Sequence, residues 1–523
     1  MGTDVALLSD VFEAFRGFNL KHYKLDPAHF LTAPSLSWSA CLKYTDIQLE
    51  LPTCPTMSNF FDKGLIGGIS FISNLYARAN NAGLGDEFDI GKLISYIFMV
   101  DCNNQYGWAM SQYLPTGGFN WCDEKTNEEW EKIIKSLQDD DDKGFFFEVD
   151  LEYPKELHDE HDTFPCAPEK ISVQESMLSP YQRELGEKLG VKFGSEKLCL
   201  TLQHKTKYVL HYRNLKQYLD LGLKLKKVHR ALEFNQSPWL KPYIDLNTRL
   251  RRNATCKFDE DQAKLMNNSF FGKTCENVRK YKDVKICTDK ESIQKLMKKE
   301  KCDGWTTYNG KVAAVLLNRN VVKLDKPRYV GTAILGISKE IMYDFHYNYM
   351  MKEYANVKLL FTDTDSFCYQ ITTDNDLYKD IKGNTWYDFS NYLEVHNNFD
   401  ESKHLIPGYF KDEFAGQPIL EFVGLRPKMY SIQPLEGPKK ATAKGVDRKV
   451  RNEDLSHQDY KQSLFGEQQF THNMVRIAQE KHKLYTVEME KKSLSPFSDK
   501  KYITRNGDDF TTYSYGHYRI SNQ

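Results

Sequence analysis

An α+β fold is predicted by three features of the sequence. Two short β-type runs, VKLLF at 357–361 and FCYQI at 367–371, flank Thr362–Ser366, which is the pattern of a hairpin. LISYIFMV at 93–100 is a third apolar run of strand character, and it stops at Asp101. Helical patterning appears elsewhere: residues 4–18 place Val5, Leu8, Phe12 and Phe15 on one face. The expected architecture is a central antiparallel sheet interrupted by inserted helical and mixed segments.

In chain order, Pro27 and Pro34 close the first helical region. From 124 to about 245 the composition turns polar, and Pro154, Pro165, Pro168 and Pro180 break the pattern, as in an insertion with its own small structure. Asp259 is the expected cap of a long helical stretch reaching about 280. Residues 281–327 are Lys-rich with short mixed strands, and the last 75 or so alternate charged helical segments with Pro496 and Gly507.

Composition narrows the class. The 523 residues allow several packed units, and 40% hydrophobic with 27% charged residues reads as globular. No run approaches the ~18 apolar residues of a membrane span, so no membrane partner is expected. The N-terminus lacks the basic-then-apolar order of a signal peptide. The eleven cysteines form no CxxC pair, which argues against a zinc or iron–sulfur site and for a reducing compartment. An intracellular setting is expected, in the nucleus or cytoplasm of a host cell.

The net charge of −1 is not that of a simple nucleic-acid binder, but the charge is unevenly spread. Residues 201–230 carry eight Lys or Arg against one Asp, and 426–451 carry eight against two acids. Either window alone is more often a solvated face, and the pair could equally track a phosphate backbone.

Asp363 and Asp365 bracket Thr364 at the hairpin tip. In an extended segment both carboxylates share a face, and two negative charges in one small space call for a hard cation such as Mg²⁺. Asp101, ending another strand, could supply a third carboxylate. Alone, Asp-x-Asp more often marks a polar turn. Such a trio suits in-line transfer from a nucleoside triphosphate. One metal lowers the pKa of an attacking 3′-hydroxyl, and a second, about 4 Å away, holds the triphosphate.

Residues 264–275, KLMNNSFFGKTC, place Lys264, Asn268, Phe271 and Cys275 on one helical stripe, a poor core face. Lysine offers a point charge to phosphate oxygens and Phe271 a surface for a base or sugar. Gly272 costs about 1 kcal/mol in a helix interior and needs a reason, such as close approach of a base pair. An amphipathic helix with a buried Phe and an exposed Lys fits the stripe as well.

Taken in order, Asp101–Gly107 (DCNNQYG), Lys264–Gly272 (KLMNNSFFG), Phe361–Ser366 (FTDTDS) and Lys428–Tyr430 (KMY) resemble the polymerase motifs of family B DNA polymerases. WSACLKYTDIQLEL, GGIS, NNQYGWAMSQYLPTGGFNW and VDLEYPKELHD resemble the protein-primed branch of viruses and Polinton/Maverick transposons, the organellar and viral type B polymerases. The likeness runs over nearly the whole chain.

That resemblance implies a right-hand polymerase with an α+β palm, helical fingers, a small thumb and two insertions. It implies Asp101 and Asp365 as principal ligands of two Mg²⁺, or of Mn²⁺ in their place, with Asp363 and the Cys102 carbonyl in support. Tyr106 would lie under the nucleotide sugar and Asn104 near the triphosphate. Lys264 would contact phosphates, with Arg251 and Arg252 as weaker candidates for triphosphate contacts, and Asn268 and Phe271 would line the nascent base pair. Gly67, Gly68, Lys428 and Tyr430 would contact DNA. The implied partners are a DNA primer-template, deoxynucleoside triphosphates and a terminal priming protein.

The implied division is 1–29 as the end of an exonuclease-type domain, 30–123 as the first part of the palm and 124–245 as the insertion that meets the priming protein. It continues with 246–280 as fingers, 281–327 as the second insertion, 328–460 as the rest of the palm and 461–523 as thumb and tail. Two departures stand out: the second motif ends in Phe271 instead of Tyr, and the third opens with Phe361 instead of Tyr. Residues 65–68, LIGG, also lack the aromatic or basic residue usual before the glycines.

Most of the editing domain is expected to be absent. No Asp-x-Glu precedes Asp101, and Asp4 resembles the last editing motif without its partners. The rival reading is a catalytically silent, DNA-binding remnant of a transposon or viral polymerase. An RNA-dependent polymerase fits less well, because the third motif lacks the paired aspartates of reverse transcriptases.

Overall fold

The computed structural model describes residues 2–52, 54–308, 310–480 and 483–520. Its central sheet has six strands: β1 (Ser70–Ile72), β2 (Ser95–Cys102), β3 (Asn356–Asp363), β4 (Ser366–Thr372), β5 (Tyr387–Asp388) and β6 (Phe410–Asp412), in the order β1-β3-β4-β2-β6-β5. All pairings are antiparallel except β5 with β6.

The sheet divides two hydrophobic cores, and the two-residue period of a strand explains how. On β2, Phe98 and Val100 enter one core while Ile97 and Met99 enter the other. This is why LISYIFMV reads as continuously apolar instead of alternating. The first core is roofed by the helix Arg328–Tyr343, whose Tyr329, Val330, Ala333, Ile334, Ile337 and Ile341 are buried. The second lies beneath the sheet of Ile419–Arg426, Met429–Pro434, Lys440–Ala443 and Tyr76–Arg78.

Three helices matter for the site: α1 (Gln105–Met110), α2 (Lys257–Thr274) and α3 (Arg328–Tyr343). α2 is shorter than expected. Cys256 is its N-cap and Asp259 lies in its first turn, where a carboxylate still favours the helix dipole. It stops at Thr274, and a 3₁₀ turn at Val278–Lys280 follows. Pro34 does not close a helix but starts one, Ala33–Thr45, with Thr32 as cap. That helix anchors α2: Trp38 stacks on Phe270 at 5.3 Å, and the Ser37 hydroxyl donates to the Met266 carbonyl at 2.6 Å.

The expected insertion has its own four-stranded sheet, ordered Leu114–Trp121, Lys224–Ser237, Lys143–Glu152, Lys205–His211. The sheet thus recruits a strand that begins before 124. Residues 281–327 form a separate three-stranded sheet with the helix Lys290–Met297.

The C-terminal region differs from expectation. After the helix His457–Phe465 it forms strands: a long ribbon of Phe470–Glu480 with Lys483–Leu494, then a hairpin of Tyr502–Asn506 with Asp509–Tyr513. The charges that suggested helices lie on an exposed two-stranded ribbon. The second hairpin does not project. Phe497, Tyr502 and Tyr515 share a small core with Val173, Leu178, Leu185 and Cys199 of the insertion. Asp162 there accepts from the backbone N–H of Ser514 at 2.5 Å and from Lys501 at 3.2 Å, and Asp159 accepts from the Tyr518 hydroxyl at 2.7 Å.

Of the two basic windows, 201–230 is partly neutralised. Arg213 pairs with Asp139 at 3.0 Å and Glu340 at 2.9 Å. Lys226, His229 and Arg230 each meet an acid of the neighbouring strand (Glu152, Asp150 and Glu148) at 2.8 Å, and Lys205 is buried against Glu169. Four of its eight Lys and Arg are thus held in ion pairs within the fold. No helix is long and apolar enough to cross a membrane among the described residues.

Candidate active site

The register of the central sheet builds the site. Asp101, near the end of β2, lies between Ser366 of β4 and Lys411 of β6. The Cys102 N–H donates to the Asp365 carbonyl at 2.7 Å, which fixes the hairpin tip beside the end of β2. Asp101 and Asp365 line one cavity of about 440 Å³, together with Cys102, Asn104, Tyr106, Lys264, Asn268 and Phe271. The stripe read on 264–271 therefore faces the two carboxylates across this space. Lys264 and Asn268 are exposed to it, while Phe270 on the opposite side is buried.

Burial is the main force on these carboxyls. It pushes Asp101 up to about 7, assisted by the charges of Asp365 and Glu413 and opposed by Lys411 and Lys440. It pushes Asp365 up to about 6, with Asp363 and Glu413 adding to the effect and a backbone N–H and Lys428 opposing it. Two such oxygen donors, held close against their own repulsion, fit a divalent cation of the hard class.

Asp363 behaves differently from expectation. The tip of the hairpin is a γ-turn, with the Asp365 N–H donating to the Asp363 carbonyl at 2.9 Å and Thr364 at φ 72°. The alternation of an extended strand does not apply across it. Asp363 instead pairs with Lys428, and no cluster of three metal-binding side chains is formed among the described residues. Asp363 is thus not a preformed third ligand.

The remaining expected residues divide. Asn104 adopts a left-handed conformation at φ 43° and caps α1, its side chain accepting from the Gly107 N–H at 3.2 Å. Gly107 leaves room for this cap, because a Cβ there would lie 2.0 Å from the Asn104 amide as placed. The Tyr106 ring stacks on Phe271 at 4.7 Å, nearly parallel at 10°. Burial pushes its hydroxyl up to about 12. Arg251, not Arg252, lines the cavity; at 100° per residue the two point apart, and Arg252 is exposed elsewhere. Arg251 is steadied by Glu260 at 3.3 Å. A Cβ at Gly272 would meet nothing within 4 Å, so no contact within the chain demands that glycine.

Lys428 and Gly68 line a second cleft, of about 610 Å³, with Arg426, Lys444, Lys492 and Lys500. A Cβ at Gly68 would lie 2.6 Å from the Thr364 side chain, so this glycine lets the loop close on the hairpin tip; Gly67 has open space. Tyr430 lines neither cavity. It is buried and stacks on Phe361 at 4.1 Å, backing the strand that carries Asp363.

Several contributors had no sequence signal. Lys411 enters on β6, and Glu413 holds both Lys411 (3.1 Å) and Lys440 next to Asp101. Lys339 on α3 is buried and donates to the Ile66 carbonyl at 2.7 Å, with burial pulling its pKa down to about 7. Thr248, Asn267 and Leu405 complete the cavity wall.

A six-stranded sheet with paired carboxylates facing a lysine-bearing helix is the arrangement expected of a nucleotidyl-transferring polymerase. The chain belongs to the organellar and viral type B DNA polymerases, whose family model matches residues 83–349. That span takes in the first two motifs but ends before 361–366. The fold is similar to that of Phi29 DNA polymerase in its orthorhombic crystal form, with TM-score 0.54 and 14% identity, covering 91% of this chain and 70% of that one. It is also similar to Phi29 DNA polymerase complexed with primer-template DNA and incoming nucleotide substrates, with TM-score 0.52 and 15% identity, over 89% and 68%. No curated protein matches the sequence. The chain is thus a type B DNA polymerase by family, with the right-hand fold of Phi29 DNA polymerase.

Proposed function

We propose that the cavity between β2, the hairpin tip and α2 seats an incoming deoxynucleoside triphosphate and extends a primer 3′ end. The observation that carries this reading is the facing of Asp101 and Asp365 by Lys264, Asn268 and Phe271 across about 440 Å³, with Tyr106 stacked on Phe271 in the same lining. Lys264 makes no ion pair among the described residues and is available to phosphate oxygens, with Arg251 beside it. Tyr106, backed by Phe271, presents its ring where a sugar would lie.

The family uses divalent metal ions, and Asp101 and Asp365, with the Cys102 carbonyl, are the groups that would hold two Mg²⁺ here. When bound, these ions supply charge neutralisation and activation of the 3′-hydroxyl. The chain's own residues place the ligands on neighbouring strands, hold the triphosphate through cations and exclude a misfitting sugar. Lys428 and the basic cleft around Lys444 and Lys500 would follow the primer-template backbone, as point charges for phosphates. The insertion sheet is the proposed landing surface for a terminal priming protein, on the strength of its likeness to the branch.

For these 523 residues we also propose synthesis without 3′ editing. Asp10 and Glu13 lie on the exposed helix Gly2–Tyr23, and Glu13 is engaged by Arg16 at 2.8 Å. Primer extension with Mg²⁺ and all four deoxynucleotides tests the whole reading. Template-dependent extension lost on Lys264→Ala supports it, and no extension on any primed template refutes it in favour of a silent DNA-binding remnant.

A further inference from the structure

Thr364 is a β-branched residue at φ 72°, a conformation that such side chains resist and that persists only where neighbours impose it. Its neighbours do so from three sides. Its N–H donates to the Ile69 carbonyl at 2.6 Å, and its side chain closes on Gly68, where no Cβ would fit. Its carbonyl accepts from the Gln105 side-chain amide at 3.0 Å. The same Gln105 amide donates to the Ser338 carbonyl of α3 at 2.8 Å. Gln105 is buried, and its Oε1 meets no donor among the described residues, so both of its useful bonds are donations to backbone carbonyls.

The three elements joined by this one side chain have distinct duties. α1 carries Tyr106, the hairpin tip carries Asp363 and Asp365, and α3 is the fixed roof of the first core. The γ-turn at Thr364 sends Asp365 to the cavity with Asp101 and leaves Asp363 to Lys428. If the turn relaxed to an extended strand, the two carboxylates would share a face again.

We propose that Gln105 is a positioning residue that holds the Thr364 turn, and so sets which aspartate faces the metal ions. It also ties that choice to the helix bearing the sugar-contacting Tyr106. This inference rests on the polymerase reading above.

The test is Mn²⁺ binding by the full chain, read by electron paramagnetic resonance without nucleotide, alongside the Mg²⁺ dependence of primer extension, both in parental and Thr364→Gly backgrounds. Gln105→Leu removes both donations at similar volume. It is expected to weaken Mn²⁺ binding, to raise the Mg²⁺ concentration for half-maximal extension about fivefold and to lower kcat about tenfold. At saturating Mg²⁺ the deoxynucleotide KM should stay within about twofold. Glycine accepts a positive φ without help, so in the Thr364→Gly background the same substitution should shift the Mg²⁺ requirement by less than about twofold. Gln105→Met serves the same comparison should the leucine variant not fold. Unchanged Mn²⁺ binding or an unchanged Mg²⁺ requirement in a folded Gln105 variant, or an equal shift in both backgrounds, would overturn the proposal. A parental chain that extends no primer at all would sink the polymerase reading instead.

Discussion

The rings of Tyr106 and Phe271 lie face to face, 4.7 Å apart and within 10° of parallel. One comes from the short helix α1 that follows β2 and the other from α2, so the pair joins two walls of the cavity. Phe271 stands where the motif resemblance leads one to expect a tyrosine, and the stack needs only its ring.

This pairing sets the expected sugar selectivity. Tyr106→Val should raise ribonucleotide incorporation relative to deoxynucleotide by about tenfold or more, since a steric gate depends on bulk. Phe271→Ala should loosen the same gate through loss of backing, while Phe271→Tyr should leave it intact. Single-nucleotide insertion kinetics with paired ribo- and deoxynucleotides would measure all three. Unchanged discrimination in Tyr106→Val would place the gate elsewhere.

The carboxylates are expected to separate by role. Asp101→Asn and Asp365→Asn should each cut extension by about a thousandfold while DNA binding in gel shift stays near parental. Asp363→Asn should act mainly through Lys428, weakening primer binding more than Mg²⁺ activation. A reversed ranking, with Asp363→Asn raising the Mg²⁺ requirement most, would contradict the observed turn.

Without divalent ions, stability should depend on pH with a definite sign. Asp101 and Asp365 have folded pKa values of about 7 and about 6, above the ordinary carboxylate value, so the folded state binds more protons than the unfolded one in that range. The metal-free protein should therefore lose melting temperature as pH rises from about 4 to about 7. Saturating Mg²⁺ should flatten the slope. Asp101→Asn should raise the metal-free melting temperature at pH 8 by about 2 °C. Calorimetry with chelator and with Mg²⁺ reads both effects.

Glu413 supplies an electrostatic test. Its charge raises the Asp101 pKa, and it engages Lys411 and Lys440, whose charges lower it. Glu413→Gln removes the opposing charge and leaves both lysines facing Asp101. The acid limb of the extension rate should then move to lower pH. A limb that stays in place would show that Asp101 does not govern it.

The sequence made the cavity-facing residues of the first two motifs readable for a physical reason. Lys264, Asn268 and Phe271 recur at helical spacing on a stripe too polar for a core, and Asp101 ends an apolar strand. What escaped notice depends on contacts between distant segments. The pairing of Asp363 with Lys428 and the arrival of Lys411 opposite Asp101 are set by sheet register, which no local pattern records. The γ-turn at Thr364 broke the alternation assumed for Asp363, since threonine gives no hint of a positive φ. Arg251 and Arg252 differ by one step of a helix whose phase is set by packing. The acids that neutralise residues 224–230 lie on the strand of Lys143–Glu152, so that basic run looked freer than it is.

The hairpin of residues 502–513 completes a core whose other half lies some three hundred positions earlier, around Val173 and Leu185. On the ribosome, that half-core must wait, with its apolar side chains uncovered, until its distant partner has been made. Closing so long a loop adds little equilibrium cost, because the entropy grows only with the logarithm of length, but it delays burial. The waiting segment is thus a part of the chain in need of chaperone cover during synthesis.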